Sequence, residues 1–111
     1  MEARALKKHV RISPRKMKPI NDLVRGKSVK DASAILKFTP RKGARELLKV
    51  LESAVANAEN NFDMDVESLY VSEVYANQGP VMKRWKAGSM GRANPILRRT
   101  SHIGVVVAEK E

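Results

Sequence analysis

Two histidines and their hydroxyl-bearing neighbours are the residues of this chain with catalytic potential. His9 and His102 lie near Ser13 and Ser101 in sequence, and these are residue types that serve in general-base and nucleophilic catalysis. Their spacing matches no triad, no metal-ligand motif and no glycine-rich phosphate loop. The acidic residues at 63–67 lack the pattern of a Ca²⁺ loop and its glycine. We therefore predict no catalytic residue, no metal site, no cofactor and no small-molecule substrate.

Lysine and arginine supply the other chemistry available to this sequence, the binding of phosphate. The 111 residues include 22 Lys and Arg against 12 Asp and Glu, a net charge of +10. Residues 1–27 carry nine basic and two acidic side chains, and residues 79–100 carry six basic and no acidic ones. Between them, residues 62–78 carry four acids and no base. Two basic blocks of this kind predict a polyanionic partner, with nucleic acid favoured over an anionic membrane surface.

The candidate phosphate-binding residues fall in these two blocks. Arg15, Lys16 and Lys18 lie in the first turns of a predicted helix, where the helix dipole disfavours cations, so contact with phosphate is one reason to keep them there. Trp85 could stack on an exposed base or pack against the opposite arm of a hairpin. The residues predicted to contact nucleic acid are Arg4, Lys7, Arg11, Arg15, Lys16, Lys18, Arg25, Lys27, Lys83, Arg84, Trp85, Lys86, Arg92, Arg98, Arg99 and His102.

Cysteine is absent from the sequence, which excludes disulfides and thiolate metal sites and is compatible with a reducing cytoplasm. The first ten residues lack the apolar run of a signal peptide, and no window reaches the apolar length of a membrane span. We expect a cytoplasmic protein without a membrane partner, folded as a single domain over residues 1–111.

Helical spacing of apolar residues predicts three helices. Ser13-Pro14 would begin the first, which Gly26 ends, and Ser28 would cap the second. Thr39-Pro40 would begin the third and longest helix, with Asn60-Asn61 as its end. The predicted apolar faces are Met17, Ile20, Leu23 and Val24 in the first helix, Val29, Ala32, Ile35 and Leu36 in the second, and Ala44, Leu47, Leu48, Leu51, Val55 and Ala58 in the third.

Residues 68–76 and 100–108 are rich in β-branched and aromatic side chains and predict strands, and residues 3–10 predict an edge strand. In the last strand Ile103, Val105 and Val107 share a face. In residues 68–76 the alternation is imperfect, because Glu73 shares a face with Val71 and Tyr75.

The segment between the last two strands, residues 79–100, is too long for an ordinary loop. It predicts a basic β-hairpin with about nine residues in each arm, which would extend roughly 30 Å from the body at about 3.3 Å per residue. Glycines near its middle suit the chain reversal.

Several segments in register resemble the large-subunit ribosomal protein L twenty-two family. They are 10–16 (VRISPRK), 23–27 (LVRGK), 51–61 (LESAVANAENN), 79–80 (GP), 83–84 (KR), 91–93 (GRA) and 98–103 (RRTSHI). The resemblance covers essentially the whole chain. It implies an α+β fold, with three helices packed on a small three-stranded antiparallel sheet and a long protruding hairpin at residues 79–100.

The resemblance also implies a function. A member of this family is a structural constituent of the large ribosomal subunit, binds large-subunit rRNA, contacts neighbouring ribosomal proteins and supports early subunit assembly. Its body lies near the polypeptide exit, and its hairpin lines the tunnel and meets the nascent polypeptide. The hairpin tip in the family usually carries a basic, Pro-Arg-Ala-like segment. Here the tunnel-facing tip would be the uncharged residues Ala87, Gly88, Ser89, Met90 and Gly91.

Two other functional classes fit parts of the sequence. A free-standing nucleic-acid-binding module would need only the basic surface, although the basic residues favour the N-terminus and a hairpin over one recognition helix. A small basic nuclease would use His9 or His102 as its general base. Substituting both histidines would abolish function only in the nuclease.

Overall fold

The computed structural model describes residues 2–88, 91 and 93–109, and at 82, 84–87 and 93–97 it describes the backbone alone. The described residues form five strands and three helices. In chain order they are β1 (Glu2–Val10), α1 (Pro14–Val24), α2 (Val29–Phe38), α3 (Lys42–Phe62), a 3₁₀ turn (Val66–Ser68), β2 (Leu69–Gln78), β3 (Met82–Ala87), β4 (Ala93–Arg98) and β5 (Ser101–Glu109). The predicted α+β fold is confirmed.

Strand β5 lies at the centre of a three-stranded antiparallel sheet with the order β1-β5-β2. Its residues from Ile103 to Ala108 are all buried, on both faces of the strand. The prediction that β1 is an edge strand is confirmed. The outer edge of β2 is covered, because Gly26 N donates to Val71 O at 2.9 Å and Val71 N donates to Lys27 O at 2.8 Å. Covering an edge in this way removes a row of unpaired backbone groups.

A bulge in β2 explains its imperfect alternation. Val71 is opposite Val107, but Glu73 is opposite Val106, so Ser72 is an extra residue. One inserted residue moves every later side chain to the other face of the sheet. Val74 is therefore buried, and Glu73 and Tyr75 are exposed. The prediction that Val71 and Tyr75 share a face is wrong for this reason.

Serine caps begin the first two helices as predicted. Lys16 N donates to Ser13 Oγ at 3.4 Å, and Asp31 N donates to Ser28 Oγ at 3.2 Å. These bonds satisfy amides that have no partner inside the helix. Pro19 is accommodated inside α1.

The third helix begins later than the sequence predicts. Thr39 closes α2 instead of opening α3, because its Oγ1 donates to Ile35 O at 2.7 Å and its N–H to Leu36 O at 3.3 Å. Helix α3 starts at Lys42, with Arg41 in the capping position. It ends at Phe62, one residue beyond the predicted Asn60-Asn61 stop, where Asp63 adopts a left-handed conformation (φ 55°).

The core lies between the sheet and the apolar faces of the helices. Leu47 and Leu51 of α3 and Met17 of α1 are fully buried there. Leu48 and Val55, predicted for the same face of α3, pack at its margin, and Val50 and Ala54 join the core instead. Leu23 is 46% exposed, so its predicted place on the apolar face of α1 is wrong.

Helix α1 and the start of α3 approach closely at Gly43. A Cβ at this position would lie 2.5 Å from Ile20 Cδ1 and 2.8 Å from Met17 Sδ. The absence of a side chain thus lets the first turn of α3 rest directly on the buried face of α1. The N-termini of the two helices are neighbours as a result.

Strands β3 and β4 form a separate two-stranded sheet, the predicted hairpin. The pairing runs from Met82 opposite Arg98 to Ala87 opposite Ala93, so each paired arm has six residues and not the nine that we expected. Gly91 adopts the left-handed conformation (φ 75°) that a reversal favours. The molecule is 64 Å long but only 26 and 16 Å across.

Hydrogen bonds anchor the base of the hairpin to the body. Gly79 N donates to Thr100 O at 2.9 Å, and Thr100 Oγ1 donates to Pro80 O at 2.7 Å. The buried Ser101 hydroxyl donates to Ile12 O, just before α1. The hairpin, the start of α1 and strand β5 are therefore joined at one point.

We expect Leu51→Ala to lower the free energy of unfolding by about 2–5 kcal/mol, because Leu51 is 1% exposed and its truncation leaves a cavity. Urea denaturation monitored by circular dichroism measures this change. Leu23→Ala is the matched control and should cost much less, since that side chain is half exposed. Equal losses in the two variants would contradict the described core.

Candidate nucleic-acid interface

A groove of about 1220 Å³ lies between the start of α1, the start of α3 and the base of the hairpin. We call it the basic groove, because six of its described lining residues are cations and none of those described is acidic. These six are Arg11, Lys16, Arg41, Lys42, Arg98 and Arg99. Ile12, Ser13, Pro19, Ile20 and Gly43 complete its lining.

The backbone adds to the positive potential of the basic groove. Helices α1 and α3 both begin at it, and neither has an acidic residue in its first turn. The N-terminus of a helix carries unpaired N–H groups and a partial positive charge, which together attract anions. No side chain caps α3 at Arg41. Cations and helix ends of the same sign are therefore gathered here, an arrangement that an anionic ligand would stabilise.

The structure brings four of the predicted contact residues together in the basic groove. Arg11 and Lys16 come from the N-terminal block, and Arg98 and Arg99 from the hairpin block. Lys16 and Arg98 are 82 positions apart in sequence. In the part of the chain that the structure describes, none of the four forms an ion pair with a carboxylate.

Arg41 and Lys42 line the basic groove but were not predicted as contact residues. The signal that could have found them is the one that singled out Arg15, Lys16 and Lys18, namely cations in the first turn of a helix. It was overlooked because both residues lie outside the two basic blocks, in a stretch of nearly balanced charge (residues 28–61, six basic and four acidic). The true start places Arg41 and Lys42 at the helix end.

Three predicted contact residues have carboxylate partners within the protein. Lys7 Nζ lies 2.6 Å from Glu46 Oε2, and Arg4 lies 3.9 Å from Glu2. Arg25 pairs with Asp22 and also donates to Val74 O at 2.9 Å. A carboxylate of the protein itself therefore partly neutralises each of these three cations.

The other predicted residues of the body lie outside the basic groove. Arg15, Lys18 and Lys27 are exposed to solvent. His102 is half-buried against His9, with ring centroids 5.1 Å apart and planes at 88°. Its Nδ1 accepts a hydrogen bond from His9 N at 3.2 Å. This hydrogen bond joins β1 to β5, so His102 has a structural role in addition to any contact with a ligand.

Only part of the predicted hairpin surface is described. Lys83 is exposed on β3. The backbones of Arg84, Trp85, Lys86 and Ala87 belong to β3, but their side chains lie outside the described part, so the alternatives for Trp85 remain open. Arg92, and Ser89 and Met90 of the predicted tip, fall outside the described residues, whereas Gly88 and Gly91 are described.

Other kinds of site find no support among the described residues. Within 2–88, 91 and 93–109, no three His, Asp or Glu side chains are grouped so that they could hold a metal ion. None of the helices described there has both the length and the apolar character to cross a bilayer.

Sequence comparison decides the family. The family model described as "Ribosomal protein L22p/L17e" matches residues 5–108. The chain belongs to this family. The resemblance inferred from the sequence segments is thereby confirmed, and so is the prediction that the chain is not an enzyme, since the family consists of ribosomal structural proteins.

Its relatives match over nearly their whole length. The chain is 60% identical to the large ribosomal subunit protein uL22 of Clostridium novyi over 110 residues, 99% of both chains. It is 60% identical to the protein of the same name from Clostridioides difficile over 111 residues, 100% of both. It is also 60% identical to that of Ligilactobacillus salivarius over 108 residues, 97% of this chain and 94% of the relative.

The ion pair between Lys7 and Glu46 makes stability depend on pH. The hydrogen bond from Lys7 lowers the pKa of the Glu46 carboxyl below its ordinary value of 4.5, and the charges of Lys7, Lys49 and Lys42 act in the same direction, while partial burial opposes them. A carboxyl whose pKa is lower in the folded state stabilises the fold above its unfolded pKa. That contribution is lost as the pH falls through the folded value.

We expect Glu46→Gln to lower the free energy of unfolding by less than about 1 kcal/mol at pH 7, because Lys7 is half exposed. The difference from the unsubstituted protein should shrink once the pH falls below 4.5. Chemical denaturation at a series of pH values measures it. Glu52→Gln, at an exposed position of the same helix, removes the same charge and serves as the control. A difference that is constant down to pH 3 would contradict the ion pair.

Proposed function

We propose that this protein is a structural constituent of the large ribosomal subunit and binds large-subunit rRNA through the basic groove and the arms of the hairpin. The observation that supports it best is the basic groove itself, where six cations from three parts of the chain meet two helix N-termini without an acid. Phosphate contact neutralises such a surface and releases counterions. The names of its relatives agree with this location.

The finer parts of the proposal follow from shape and from family membership. The globular body binds near the polypeptide exit and contacts neighbouring ribosomal proteins, and the hairpin runs along the exit tunnel, where its tip meets the nascent polypeptide. The protein also supports early subunit assembly, as its membership of the family implies. The ribosome carries it in the cytoplasm.

The alternative is a free-standing basic nucleic-acid-binding module. Sedimentation of a cell extract distinguishes the two, since a ribosomal constituent stays with the large subunit through moderate salt. A module that binds nucleic acid only through its charge would dissociate and remain near the top of the gradient.

The affinity of the protein for an rRNA fragment should depend steeply on salt. With 6–10 phosphate contacts, we expect a loss of about 10³–10⁵-fold in affinity between 50 and 200 mM salt. The double variant Lys16→Gln/Arg99→Gln removes two cations of the basic groove. It should reduce the slope of log affinity against log salt by about 1.4–1.8, at 0.7–0.9 per contact.

The matched control for that titration is Lys30→Gln/Lys49→Gln. It removes the same net charge from exposed positions of α2 and α3 outside the basic groove. If both double variants reduce the slope equally, binding reflects overall charge and the assignment to the basic groove fails. If the unsubstituted protein shows no salt dependence, phosphate binding itself is excluded.

A photoreactive amino acid at position 88 tests the placement of the tip. In ribosomes that carry a stalled nascent polypeptide, we expect a crosslink from position 88 to that polypeptide. The same amino acid at position 30, on the body, should give none. Absence of the crosslink at position 88 while the protein is in the subunit would contradict a tunnel-lining hairpin.

A further inference from the structure

Phe38 is the most exposed large apolar side chain among the described residues, at 87%. It is the last residue of α2. Single exposed apolar residues are common and need no explanation by themselves. Phe38 differs because its backbone is held in place on both sides and because cations surround it in sequence.

The backbone at Phe38 is fixed by the hydrogen bonds that end α2. Thr39 donates from its side chain to Ile35 O and from its N–H to Leu36 O. Arg41 N then donates to Thr39 O at 2.8 Å, which continues the turn towards α3. The ring is therefore presented to solvent from an ordered turn, a state in which an aromatic ring gives up little entropy on binding a flat ligand.

The charges near Phe38 are all positive. Within five residues of Phe38 along the chain, the charged side chains are Lys37, Arg41 and Lys42, all of them exposed. Arg41 and Lys42 also line the basic groove. Three Cα–Cα steps join Phe38 to Arg41, so their Cα atoms are no more than about 11 Å apart at 3.8 Å per step. Phe38 thus lies next to the edge of the basic groove.

Phe62 provides a contrast within the same protein. It also ends a helix, α3, and is 46% exposed. Its charged neighbours in sequence are the exposed acids Glu59, Asp63, Asp65 and Glu67. A polyanion would be attracted to Phe38 and repelled from Phe62, so the two exposed phenylalanines differ in the partner that each can meet.

We propose that Phe38 binds an unpaired base of the rRNA strand that occupies the basic groove, by stacking the base on its ring. This inference rests on the proposed rRNA binding and names a contact outside the hairpin. Unpaired bases are recognised by stacking on aromatic side chains, while lysine and arginine hold the flanking phosphates. Phe38 supplies the flat apolar face, and Lys37, Arg41 and Lys42 supply the cations beside it.

The experiment measures the affinity of full-length variants for a large-subunit rRNA fragment over a series of salt concentrations. Phe38→Ala should weaken binding by about 5- to 150-fold, the range found when a stacked aromatic is truncated. Its slope against salt should stay unchanged, because no charge is removed. Phe38→Trp should retain the affinity, whereas Phe38→Leu, which is apolar but has no aromatic face, should lose it.

Phe62→Ala is the matched control and should bind as tightly as the unsubstituted protein. Thermal unfolding checks that Phe38→Ala folds normally, which its exposure leads us to expect. Chemical probing of the bound rRNA adds a second readout: one or a few unpaired bases that the unsubstituted protein protects should become reactive with Phe38→Ala.

The outcomes separate this inference from the function on which it rests. If the unsubstituted protein binds with steep salt dependence but Phe38→Ala binds equally well, stacking is overturned and phosphate binding stands. If Phe38→Leu binds as tightly as the unsubstituted protein, the contact is apolar and stacking is again overturned. If Phe38→Ala keeps its rRNA affinity but is lost from assembled subunits, Phe38 meets a protein. If the unsubstituted protein does not bind rRNA, both proposals fail.

Discussion

The close contact of α3 with α1 at Gly43 is the constraint on which the basic groove depends. With no side chain at this position, the first turn of α3 rests on Met17 and Ile20 of α1. Two helix N-termini and their cations are then held side by side. The cations at the two helix N-termini repel one another. In the free protein, the apolar contacts between the helices offset that repulsion. Packing thus holds positive charges close together, and a bound anion would neutralise them.

The sheet depends in the same way on its central strand, β5. Strand β5 pairs with β1 and β2, is buried on both faces, and begins at the base of the hairpin. The hairpin directly precedes β5 in sequence. The first residue of β5, Ser101, is hydrogen-bonded to Ile12 O, just before α1. Body and hairpin share this junction. Arg11 of the body and Arg99 of the hairpin therefore line the same groove.

Sequence reasoning predicted the elements of this fold because their signals are local. Helical spacing of apolar residues, serine caps and β-branched runs depend on a few neighbouring residues each. The errors have tertiary causes. Thr39 could cap either helix, and its bond to Ile35 O decides for α2. The bulge at Ser72 depends on pairing with Val106 and Val107, 34 and 35 positions further on, which no local pattern reveals. The candidate site was predicted as two separate blocks, because only folding unites them in one groove with Arg41 and Lys42.

The bonds of Gly79, Thr100 and Ser101 at the hairpin base set the angle at which the hairpin leaves the body. Six paired residues at about 3.4 Å each span about 20 Å, so a tilt of about 10° at the base displaces the far end by about 3.5 Å. That distance is comparable to a van der Waals contact. The hydrogen bonds of the buried Thr100 and Ser101 hydroxyls therefore set the direction in which the hairpin extends. Substitutions in the body can thus change what the far end of the hairpin contacts.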